Sequence, residues 1–110
     1  KDTDVVTGVW KDGRVGTYRG IRGANSAFGA VAFGSKAIVP AGREGGYEGL
    51  CREIGRFFKT GKPPVNAEET IEIFAFMEAA DESKRRGGQP VSLNSVLAKA
   101  RVEAAAKLAQ

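Results

Sequence analysis

Histidine is absent from the 110-residue chain, and cysteine and tryptophan occur once each. Without an imidazole, a serine or cysteine nucleophile lacks its usual base, and ordinary histidine-based metal sites are excluded. The single thiol, Cys51, rules out an internal disulfide framework and a multi-cysteine zinc site, which fits a reducing, cytoplasmic setting. No run approaches the ~20 apolar residues of a bilayer span, and no basic-then-apolar leader opens the chain, so the sequence reads as soluble with no membrane association. The polar start Lys1-Asp2-Thr3-Asp4, without a methionine, suggests a chain cut from something longer. No two glycines are separated by a single residue, which removes the dinucleotide fingerprint and every other GxG loop. Gly61-Lys62 resembles the end of a phosphate loop, but Pro63 stands where a Ser or Thr is required, and no serine sits in a Gly-x-Ser-x-Gly elbow.

What the chain does have is 42% apolar residues, enough for one compact domain that buries roughly 65% of its unfolded surface. Its net charge of +4 is uneven. Residues 1–62 carry 11 basic and 6 acidic side chains, a balance of +5, against −1 for the remainder. Fifteen glycines are concentrated toward the first half.

The pattern along the chain changes once. Val5–Trp10 is an apolar run, Asp12-Gly13 is a hairpin signal suited to a two-residue type I′ turn, and Arg14–Ile21 alternates Val15, Thr17, Arg19 and Ile21 against Gly16, Tyr18 and Gly20. After a loop at 22–26, a third strand is predicted over Phe28–Phe33 and a short fourth over Ala37–Val39, ending before Pro40. From Gly45-Gly46 onward the period becomes helical. Leu50, Ile54, Phe57 and Phe58 recur at i, i+4, i+7 and i+8 among charged residues, an amphipathic helix stopped by Gly61 and Pro63-Pro64. Asn66 with Glu69 begins a second helix that reaches about Arg86 before Gly87-Gly88. Its apolar positions Ile71, Ile73, Phe74, Phe76 and Met77 spread wider than one stripe, which predicts a helix sandwiched between two layers. Ser92 caps a third, Ala-rich helix. Four strands followed by three helices, a strand-rich stretch 1–40 and a helical stretch 46–110, give an α+β class: one antiparallel sheet of about four strands with the helices packed on one face.

Few residues invite chemistry. Glu68, Glu69 and Glu72 cluster within a turn, but helix capping and the helix dipole account for them better than acid/base or metal work. Cys51 lies near Arg52 and Arg56, and is expected to be half-buried beside Leu50. Phe28–Phe33 echoes an RNA-recognition strand, yet Ser26, Ala27 and Ala30 occupy diagnostic places and the βαββαβ order is missing, so no nucleic-acid partner is expected. Arg14, Arg19 and Arg22 are candidates for an anionic ligand. Strand alternation places Arg19 opposite Tyr18 and Arg22, so the three cannot form one patch. Tyr18, Arg19 and Arg22 are the candidate ligand contacts of the sheet face, and no catalytic, cofactor-binding or metal-binding residue is identified.

The helical half carries a resemblance. Tyr47-Glu48-Gly49-Leu50, the run Ile54-Gly55-Arg56-Phe57-Phe58-Lys59-Thr60-Gly61-Lys62-Pro63-Pro64-Val65 and Glu68-Glu69-Thr70 look like the C-terminal domain of the Gfo/Idh/MocA oxidoreductases. Ala79-Ala80-Asp81-Glu82-Ser83 and Gly88-Gln89-Pro90-Val91-Ser92-Leu93 extend the likeness, and Trp10-Lys11-Asp12-Gly13-Arg14 with Val31-Ala32-Phe33-Gly34 resembles that domain's last sheet strands. The resemblance implies the terminal, substrate-side portion of an NAD- or NADP-dependent sugar or polyol dehydrogenase, inactive alone, whose N-terminal Rossmann domain holds the cofactor. That family's Glu-Lys-Pro motif and catalytic histidine are absent here, so no catalytic role carries over. The alternative is a stand-alone oligomerisation or small-ligand-binding module, with a homo-oligomer formed through the sheet face.

Overall fold

The computed structural model describes residues 2–23, 28–41 and 46–109, arranged as four strands followed by three helices. The α+β class follows directly. The chain divides into two compact units, Lys1–Gly61 and Lys62–Gln110.

In the first unit, β1 (Thr3–Val9) and β2 (Val15–Ile21) form an antiparallel hairpin with Thr3 opposite Ile21 and Val9 opposite Val15. Trp10 N–H donates to Arg14 O at 2.9 Å and Gly13 N–H to Trp10 O at 3.0 Å, so the connection is a three-residue loop, Lys11-Asp12-Gly13. This corrects the two-residue type I′ turn expected from Asp12-Gly13. Only Gly13 has a positive φ, +87°, the left-handed residue that closes a three-residue hairpin, while Asp12 supplies a side-chain acceptor to Arg14 instead.

The second hairpin pairs β3 (Ala30–Phe33) with β4 (Ile38–Ala41), and Gly34 N–H donates to Ala37 O at 2.9 Å across its tip. β4 runs through Pro40, where the sequence reading had stopped. Proline is admitted because Pro40 stands opposite Val31 at a pair where neither residue donates into the ladder, so its missing N–H lies on the outer edge. The expected four-stranded sheet is not seen among the described residues: the strands make two separate two-stranded sheets. Alternation along a strand fixes its faces but says nothing about which edge it joins, and β2 and β3 do not pair.

Helix α1 (Glu48–Thr60) is amphipathic as read, and Gly61 ends it in the left-handed conformation. Its stripe of Leu50, Ile54, Phe57 and Phe58 is nevertheless exposed, Phe58 at 81%, and no residue of α1 is buried. The expected packing of all three helices on one sheet face is therefore corrected for α1.

In the second unit, α2 (Ala67–Arg85) begins at Asn66, whose side chain accepts from Glu69 N–H at 2.7 Å. It ends in a Schellman closure: Gly88 N–H donates to Ser83 O and Gly87 N–H to Lys84 O, with Gly87 at φ +70°. Ser92 then caps α3 (Leu93–Leu108), its hydroxyl accepting from Ser95 N–H at 3.2 Å. The two helices pack on each other. Ala75 and Ala79, one turn apart and 5% and 6% exposed, are the buried residues among those described. Small side chains let the helix backbones approach closely. Of the large apolar positions of α2, Ile71, Ile73, Phe74 and Met77 remain exposed and Phe76 is half-buried, so the expected sandwiching of α2 is not seen among the described residues.

Candidate functional site

The residues singled out as ligand contacts all lie on β2 or at its end. Tyr18 pairs with Val6 and Arg19 with Val5, on opposite faces of the hairpin. The Tyr18 ring lies over Gly20, where an added Cβ would sit 2.9 Å from the phenol oxygen. Arg22 follows the end of β2, donates its backbone N–H to Asp2 O at 2.7 Å, and forms an ion pair with Asp4. Arg19 therefore stands apart from Tyr18 and Arg22, as strand alternation requires, and the guanidinium of Arg22 is already engaged by a carboxylate.

Arg14 is engaged as well. Its Nε donates to Asp12 Oδ2 at 2.7 Å, and its guanidinium lies over the Trp10 ring at 5.7 Å from the centroid. The same ring also reaches Gly16, where an added Cβ would meet ring carbons at 3.1 and 3.2 Å. The indole, guanidinium and carboxylate together form a stack beside the turn that secures it. The N–H of Arg14 also donates to Asp12 Oδ1 at 3.1 Å, and this bond holds the Asp12 carboxyl below the ordinary carboxylate value, with the Arg14 side chain adding to it. Sequence reasoning missed the stack. The glycine two residues after Arg14 was its available signal, since a Cβ there would crowd the indole.

On α1 the charged face is a chain of local pairs. Arg52 reaches Glu48 at 2.7 Å and Arg56 reaches Glu53 at 4.0 Å. Cys51, Arg52, Gly55, Arg56, Lys59 and Thr60 border a shallow, open depression. Cys51 is exposed rather than half-buried, because the apolar stripe beside it is itself uncovered.

The acidic start of α2 is a cap. Glu69 N–H is bonded to Asn66, and Glu68 and Glu69 occupy the first turn, where negative charge favours the helix dipole. At the other end, Arg85 bridges Glu78 and Glu82, both at 2.7 Å, and Arg86 joins Glu82 at 2.6 Å. Hydrogen bonds from Arg85 and then Arg86 hold the Glu82 carboxyl below its ordinary value, while Glu78 chiefly raises Arg85. These are surface interactions that fasten the helix end.

Among the described residues, no group of three or more His, Cys, Asp or Glu side chains is placed to hold a metal ion. The described residues also do not fit a nicotinamide dinucleotide. Both sheets among them are antiparallel hairpins, without a parallel strand-to-helix turn whose amides and glycines receive a pyrophosphate. No helix among the described residues is long and apolar enough to cross a membrane. No family model matches the chain, and no curated protein or solved structure is similar to it.

Proposed function

We propose that this chain is a non-catalytic structural and assembly module. Its role is to contribute sheet and helix surfaces to a larger enzyme, an NAD- or NADP-dependent sugar or polyol oxidoreductase of the Gfo/Idh/MocA kind.

The observation that carries the assembly reading is uncovered apolar surface. Val5, Val9, Val15 and Ile21 on the first hairpin, Phe28, Val31, Phe33, Ile38 and Val39 at the second, and the α1 stripe are all exposed. The accessible surface of the chain is 10126 Å². Two separately compact bodies, each half of the 11.6 kDa chain, would expose about 7,000 Å² together by the scaling of folded surface with mass. The excess of about 3,000 Å² is on the scale of an obligate protein interface. Exposed apolar patches of the kind these residues form mark surfaces that a partner covers.

The oxidoreductase context rests on the resemblance carried by the sequence of residues 47–70 and 79–93. The partner it implies is a Rossmann domain holding NAD or NADP. Within such an enzyme Arg14, Arg22, Arg52 and Arg86 are tied to carboxylates at Asp12, Asp4, Glu48 and Glu82, which suits a scaffold role.

The test is nicotinamide reduction by the purified chain, followed at 340 nm with a panel of sugars and polyols and with either cofactor. The expected rate is that of the protein-free blank. Turnover above it that tracks the chain through purification overturns the non-catalytic reading.

A further inference from the structure

The two edges of the β3–β4 hairpin are unlike. The bond from Gly34 N–H to Ala37 O sets the parity of the ladder, so Ala32 with Val39 and Ala30 with Ala41 are the pairs that exchange backbone bonds. Phe33 with Ile38 and Val31 with Pro40 are the intervening pairs, whose backbone groups point away from the hairpin. On β4 the outer edge holds Pro40, which has no N–H to offer. On β3 the outer edge presents the N–H and C=O of both Val31 and Phe33. Residues 28–35 carry no charge, and the side chains of Val31 and Phe33 are 56% and 79% exposed. The strands of the first hairpin, by contrast, carry Asp4 and Arg19, charges of the kind that discourage edge pairing.

We propose that the outer edge of β3 pairs with the same edge of a second copy of this chain, antiparallel and two-fold about Ala32. The proposal rests on the assembly reading above and names one partner for it. In this register Val31 stands opposite Phe33 of the second copy at both ends, and Ala32 stands opposite its counterpart. The two Val–Phe pairs are then the ones that exchange backbone bonds, about four in all. Each sets a β-branched side chain beside an aromatic on the same face, a favoured cross-strand combination, while only alanines meet on the other face. A strand slip of one residue would lose both features. Charge does not oppose it: the two Lys36 side chains fall at opposite ends, about 25 Å apart at strand rise, well beyond the screening length at physiological salt. Pairing also supplies what the hairpin lacks, because an isolated two-stranded ribbon is marginal in water and four strands with one apolar face are not. Edge pairing alone covers less surface than a permanent dimer needs, so the association is reversible and follows concentration.

The test combines sedimentation velocity of the full chain over a wide concentration range with amide hydrogen exchange. The expected result is a mass rising from 11.6 kDa toward twice that. Exchange at Val31 and Phe33 slows in step, at least tenfold where the dimer dominates, while Ala30 and Ala32 stay protected throughout. Val31→Pro removes one outward donor and leaves the inward ladder intact, so this variant stays monomeric. A dimer whose Val31 and Phe33 amides exchange at the monomer rate overturns the edge pairing and leaves the assembly reading standing. A monomer at every concentration overturns the pairing as well, and a Val31→Pro chain that dimerises like its parent does the same. Should Ala30 and Ala32 lose protection in the variant, the hairpin has opened and the exchange result on the unsubstituted chain decides alone.

Discussion

Replacing Asn66 with alanine removes one identifiable bond, the 2.7 Å contact from Glu69 N–H that starts α2. An N-cap of this kind contributes about 1 kcal/mol, because the alternative is an amide donor left to water at a helix end. The cap belongs to the unit Lys62–Gln110, and unfolding 49 residues releases roughly 0.1 kcal/mol/K of entropy at about 2.1 cal/mol/K per residue. Asn66→Ala is therefore expected to lower the helix-melting midpoint, followed by circular dichroism at 222 nm, by about 10 °C. Two companion substitutions sharpen the reasoning. Asn66→Asp keeps the acceptor and adds negative charge at the positive end of the dipole, so its midpoint stays at or above that of the parent. Ser92→Ala removes a longer bond, 3.2 Å, and is expected to cost about half as much, near the low end of the range for caps. An Asn66→Ala midpoint within 2 °C of the parent, or an Asn66→Asp midpoint as low as that of Asn66→Ala, would refute the argument.

The carboxyl of Glu82 is held below its ordinary value of 4.5 by Arg85 and Arg86. Its contribution is present above pH 4.5 and is lost as pH falls through the depressed folded value, so helicity declines with acidification below that point. In Glu82→Gln that part of the titration is missing, as ellipticity measured from pH 6 down to 3 will show. Gly16→Ala crowds the indole of Trp10 and shifts it by a few tenths of an ångström, since the new Cβ would stand 3.1 Å from it. With a single tryptophan in the chain, the displacement reads directly as a red shift in fluorescence emission, and unchanged emission counts against the stack. Cys51 is exposed and reacts with a thiol reagent in the folded chain to one equivalent without denaturant; a thiol that responds only after unfolding contradicts its placement.

Local signals in the sequence carried the helices almost to the residue. Asn66 and Ser92 were legible as caps and Gly61 as a stop because each acts on amides or dihedrals within a few positions of itself, and α1, α2 and α3 begin or end beside them. The strands were legible in place but not in partnership. Val15 to Ile21 alternates plainly, yet nothing local to it decides whether β3 joins its edge, and the two hairpins stay apart. The fourth strand was expected to end before Pro40, whereas at an outward-facing pair the missing donor costs the ladder nothing and β4 continues to Ala41. At the candidate site, the separation of Arg19 from Tyr18 and Arg22 follows from the strand period of two alone. The carboxylates that occupy Arg14 and Arg22 were harder to foresee. Asp12 does so through a turn wider than the one expected, and Asp4 through an antiparallel register that sets it opposite Gly20, two positions from Arg22.

Pro40 also bears on how far association can proceed. An edge able to accept a strand on both sides is a monomer in the polymer chemist's sense, since each addition regenerates the site for the next. With a proline on the outer rim of β4, two copies joined through β3 expose only rims that lack the Pro40 donor beside Ile38, and further growth is disfavoured. The residue thus acts as a chain stopper in a segment whose composition, Phe28 to Phe33 without charge or proline, otherwise suits fibrils. Pro40→Val unblocks the second rim, and thioflavin fluorescence rising over time in that variant alone is the expected sign of it.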